Sequence, residues 1–69
     1  MPEGLANRLR ELRAERELTQ AALAELVGVS RKTVNTVENG VFVPSTTLAL
    51  KLARALGCSV ETLFSLEQD

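Results

Sequence analysis

The sequence predicts an all-α fold, a compact five-helix domain that takes in the whole 69-residue chain, 1–69. Three observations carry that prediction. Apolar residues recur at helical spacing in a chain that is 45% hydrophobic and rich in Leu and Ala, with few β-branched runs. Beyond the first residues, Gly and Pro fall only between those segments, at Gly28, Gly40, Pro44 and Gly57. Finally, Thr19, Ser30, Ser45 and Ser59 each stand where a helix N-cap is needed.

The first helix is predicted from Leu5 to Glu17, with Leu5, Leu9 and Leu12 at i, i+4, i+7 forming its apolar stripe. Its remaining faces carry alternating charges, including an attractive Arg13–Glu17 pair and a repulsive Glu11–Glu15 pair. These read as a solvated face, with phosphate contact by one or two of the arginines left open. The second helix follows Thr19 over Gln20 to Val27, burying Leu23, Ala24 and Val27 before Gly28 stops it in a left-handed turn. The third, capped by Ser30, runs from Arg31 to Glu38 with Val34 and Val37 inward. Val41 to Pro44 reads as a loop that drops Phe42 into the core. The fourth covers Thr46 to Leu56, with Leu48, Ala49, Leu52, Ala53 and Leu56 inward. A short fifth helix covers Val60 to Phe64, and the tail from Ser65 to Asp69 is expected to be extended or frayed.

Composition narrows the function classes. No apolar run reaches the ~20 residues of a membrane span, and no leader-like apolar stretch precedes the first charges, so a cytoplasmic location is expected. The lone Cys58 cannot form an internal disulfide and reads as a small apolar residue between helices four and five. With no histidine and one cysteine, neither a zinc site nor a histidine-based catalytic set can be assembled. No enzyme activity, cofactor or metal is expected. Net charge is −1, but it is polarised: residues 1–56 hold all 8 bases against 6 acids, and residues 57–69 hold three acids and no base.

The chain's chemistry gathers in Thr19 to Gly40. Ala24, Gly28, Val34 and Val37 stand 4, 8, 14 and 17 residues after Gln20. Two helices crossing closely around a tight turn need small, turn-permissive and apolar residues at such positions. Ser30, Arg31, Lys32, Thr33, Asn35 and Thr36 then lie on the exposed part of the second of these helices. A helix with a polar, basic N-terminal end fits the major groove, where Arg31 or Lys32 would pair with guanine and Asn35 with adenine.

In LRELRAERELTQAALAELVGVSRKTVNTVENG, the PS before helix four, and LARALGCSVETLF, the chain resembles the XRE class of helix-turn-helix domains, related to phage Cro and repressor proteins. The resemblance covers about Leu5 to Phe64. It implies that Gln20 meets a backbone phosphate and braces the reading helix. It implies that Ser30, Arg31 and Lys32 approach bases or adjacent phosphates, that Thr33 and Thr36 face the groove, and that Asn39 lies near phosphate. Two positions depart from the family. Val41 stands where relatives often carry a base, and Glu17 where they often carry glycine, so the turn at Glu17 is expected to differ in geometry.

The implied function is a sequence-specific regulator of transcription, a repressor binding an inverted-repeat operator in double-stranded DNA. The surplus of apolar residues toward the C-terminal end points to a homodimer whose interface includes Val43, Val60, Phe64 and Leu66. Two readings stand beside it. One is a helical protein-interaction module, an antitoxin or adaptor; the other is the DNA-binding part of a longer ligand-sensing regulator.

Overall fold

The computed structural model describes residues 4–67. In chain order the elements are β1 (Leu5–Asn7), α1 (Leu9–Glu15), α2 (Gln20–Val27), α3 (Arg31–Glu38), α4 (Thr46–Leu56), α5 (Val60–Leu63) and β2 (Phe64–Leu66). The five expected helices are present. A two-stranded antiparallel ribbon is added to them, pairing Leu5 with Leu66, Ala6 with Ser65 and Asn7 with Phe64.

That ribbon corrects both ends of the sequence reading. The first helix starts at Leu9, four residues later than expected, because Asn7 competes with helix formation. Its Oδ1 accepts from Leu9 N at 3.0 Å, and its Nδ2 donates to Val37 O at 3.0 Å. Asparagine favours such side chain–backbone bonds over a helix interior. Arg8 N donates to Leu63 O at 2.9 Å, so the preceding residues lie alongside the C-terminal segment. The tail expected to be extended or frayed is extended, as a paired strand that begins at Phe64 and runs as far as Leu66; its end at Gln68 and Asp69 lies outside the described residues.

Thr19, Ser30, Ser45 and Ser59 all cap as expected, each side chain accepting from the amide three residues on. Each such cap stabilises by about 1 kcal/mol. Four helices also end alike. The C-terminal residue in the left-handed conformation donates to the carbonyl three back, and the next residue to the carbonyl five back, as at Gly28 and Val29. A Cβ on Gly28 would meet nothing within 4 Å, so this position needs glycine for its φ of +76° and not for space. At the end of α1 the same place is taken by Glu17, at φ +55°, with Glu17 N on Ala14 O and Leu18 N on Arg13 O. The turn expected to depart in geometry instead takes the conformation a glycine would.

The core is formed by Leu9, Leu12, Leu23, Ala24, Val27, Val34, Val37, Leu52, Ala53, Leu56, Leu63 and Phe64. Full burial of a Leu or Val side chain contributes roughly 1.5–3 kcal/mol, so α3 is held chiefly by Val34 and Val37. Cys58 is half-buried and packs against this core. Phe42 does not enter it and is 48% exposed. After Gly40 the chain doubles back, with the amides of Val41 and Phe42 both donating to Thr36 O, and the core space is filled by Phe64.

Candidate nucleic-acid interface

The exposed face of α3 is built on a rigid mount. Leu23, Ala24 and Val27 of α2 and Val34 and Val37 of α3 are all buried, and Ala24 is small enough for the two helices to approach closely. On the opposite side of α3, Arg31, Asn35 and Asn39 follow one another at i, i+4, i+8, so they form one stripe, and all three are exposed. Lys32 stands beside that stripe. Arg31, Lys32, Asn35 and Gln20 line a single shallow depression. Neither Arg31 nor Lys32 makes an ion pair among the described residues.

The remaining expected positions are partly committed to holding the backbone. Ser30 Oγ accepts from Thr33 N at 3.1 Å and lies 2.9 Å from Thr33 Oγ1. Thr36 Oγ1 donates to Thr33 O at 3.0 Å. Of the expected interface residues, Val43 and Leu66 are exposed, at 68% and 53%. Val60 is half-buried. Phe64, only 8% exposed, is part of the chain's own core; its register opposite Asn7 turns the ring inward.

Behind the exposed face of α3 runs a polar network centred on Glu38, whose side chain is wholly buried. Arg13 Nε donates to Glu38 Oε2 at 2.6 Å, Gln20 Nε2 to Oε1 at 3.1 Å, and Arg10 Nε lies 3.5 Å from Oε1. From there a ring closes through the exposed stripe. Arg10 Nη2 donates to Asn39 Oδ1 at 3.3 Å, Asn39 Nδ2 to Asn35 Oδ1 at 3.2 Å, and Asn35 Nδ2 to Gln20 Oε1 at 3.5 Å. Arg13 Nη1 also donates to Leu18 O at 2.8 Å, tying in the α1–α2 turn. Burial pushes the Glu38 carboxyl up, but the hydrogen bonds from Arg13 and Gln20, the Arg13 charge and the Arg10 guanidinium outweigh it and hold it below the usual carboxylate range.

Glu38 is thus bonded within the fold, and Arg13 pairs with it instead of with Glu17. Sequence reasoning missed Arg10 and Arg13 as members of this network. The available signal was their i, i+3 spacing, which places both guanidiniums on one side of α1.

Comparisons with known proteins agree with this architecture. The helix-turn-helix family model matches residues 9–63. The HTH-type transcriptional regulator YgzD of Bacillus subtilis is 43% identical over 65 residues, covering 94% of this chain and 98% of the relative. The restriction-modification controller protein C.AhdI from Aeromonas hydrophila is similar in structure, with a TM-score of 0.76 and 44% identity over 80% of this chain and 83% of that one. The P22 c2 repressor, solved in complex with synthetic operator 9T, has a TM-score of 0.76 and 35% identity over 78% of this chain and 82% of its own.

Proposed function

Because the chain belongs to the helix-turn-helix family of Cro- and repressor-like regulators, we propose that it is a sequence-specific regulator of transcription acting on double-stranded DNA. The chain acts as one DNA-binding domain, 1–69, with α3 in the major groove. Ser30, Arg31, Lys32, Thr33, Asn35 and Thr36 read bases or line the groove walls, and Gln20 and Asn39 set the register at phosphates. The observation that carries this reading is the pair of exposed cations, Arg31 and Lys32, beside Gln20 and Asn35 on a helix whose other side is locked in the core. An arginine there suits bidentate pairing with guanine, and the amide of Asn35 suits adenine.

Two copies bind an inverted repeat and repress by occluding the promoter. The exposed Val43 and Leu66, with Val60 beside them, form the dimer contact. Pairing matters because one copy offers few cations to phosphate, and the electrostatic part of affinity grows with each phosphate neutralised.

Selection of binding sites from random duplexes, followed by titration at two salt concentrations, tests the reading. Arg31→Ala with Lys32→Ala is expected to weaken binding to the selected duplex and to lower the salt slope by up to about 2 per bound chain. Unchanged affinity and slope would remove α3 as the reading helix. The apolar surface also supports the protein-interaction reading, which a stoichiometric protein partner with no selectable DNA sequence would favour.

A further inference from the structure

Among the described residues, the charges at the C-terminal end of α3 do not balance. Arg13 neutralises Glu38 at 2.6 Å, and Arg8 pairs with Glu11 at 2.8 Å. Arg10 is the remaining guanidinium. Its Nε lies 3.5 Å from a carboxylate already paired, and its side chain is 69% exposed. A contact that long and that exposed contributes little stability, so the Arg10 charge is displayed to solvent. Its Nη2 is held 3.3 Å from Asn39 Oδ1, in an open depression that Asn7, Arg8, Glu11 and Glu38 also line.

The distances of the fold give that surplus charge a use. The eight residues of α3 span about 12 Å at 1.5 Å per residue, close to the ~12 Å width of the major groove. Arg31 and Lys32 stand at one end of that span and Arg10 with Asn39 at the other. Val41, the residue after Asn39 and Gly40, carries no charge.

We infer that Arg10 is a phosphate-positioning residue, holding a DNA backbone phosphate beside Asn39 at the end of α3 opposite Arg31 and Lys32. This rests on the reading of α3 as the groove helix. The Asn39 contact orients the guanidinium before DNA arrives, and the planar fork can take two phosphate oxygens at once. A contact of this kind carries no sequence information and fixes the angle at which α3 enters the groove.

The probes are the selected duplex and a scrambled duplex of equal length. Arg10→Gln is expected to weaken both about fivefold at 0.15 M salt and to lower the salt slope by about 1 per bound chain. Arg10→Lys keeps the slope, and Arg54→Gln, which removes an equal charge on α4, leaves it unchanged. An Arg10→Gln slope equal to that of the parent overturns the inference, as does an equal loss in Arg54→Gln. If Arg31→Ala with Lys32→Ala lowers the slope and Arg10→Gln does not, only the Arg10 assignment fails; if neither does, the groove-helix reading fails first.

Discussion

Glu38 is the residue on which the site's geometry turns. Arg13 makes the shortest contact to the Glu38 carboxylate, and Gln20 and Arg10 still face it when Arg13 is lost. Arg13→Ala is therefore expected to cost about 1.5–3 kcal/mol in urea unfolding, the range for a hydrogen bond to a charged group. The carboxyl is held below its usual range by its partners, so in acid the unfolded chain takes up this proton before the folded one does. Its stabilising contribution is present above the ordinary carboxylate value of about 4.3 and is lost as pH falls through the lower, folded value. Glu11 is also lowered, by the hydrogen bond and then the charge of Arg8, but it is unaltered in a Glu38→Gln variant. The difference between parent and Glu38→Gln urea midpoints from pH 7 to pH 3 therefore isolates Glu38, and the variant is expected to show a shallower decline. The sequence placed Glu38 at the end of the third helix. Its partners were not legible, because Arg13 had an acceptable neighbour at Glu17 and only the crossing of α1 with α3 offered a better one.

At the scale of elements, the helix stop signals were readable where glycine supplied them and misleading where it did not. Glu17 holds a left-handed backbone at φ +55°, a conformation costing an L-residue roughly 1 kcal/mol. Glu17→Gly is expected to stabilise the domain by about 0.5 kcal/mol once glycine's greater unfolded-state freedom is subtracted, seen as a rise in Tm of a few degrees. A fall in Tm would mean that the Glu17 side chain contributes more than its backbone costs. The first helix was overextended for a related reason. Leu5, Leu9 and Leu12 satisfy helical periodicity, yet the Asn7 side chain takes the Leu9 amide in a turn ahead of the helix, and its bond to Val37 O fastens β1 to the end of α3.

For the whole molecule, the exposed Val41, Phe42, Val43, Leu50 and Leu66 leave a large apolar surface on a small domain. On the proposed dimer, Val43→Glu with Leu66→Glu is expected to shift sedimentation toward the monomer and to weaken binding to the selected duplex, while the thermal transition changes by less than about 1 kcal/mol, since both residues are exposed. A variant that remains dimeric would place the interface elsewhere. Whole-molecule packing also marks the limit of what local pattern conveys. The amino-acid order by itself determined α2, α3 and α4, their three Thr and Ser caps, and the small and apolar residues that mount the exposed face of α3. Each depends on side chains within one or two turns, where periodicity and capping act directly. Only the tertiary structure decided that Phe64 and not Phe42 fills the core, that the two ends pair as strands, and that Arg10 and Arg13 converge on Glu38. Those outcomes depend on which of several acceptable partners the fold brings within reach, and segments far apart in the chain compete for the same volume and the same carboxylate.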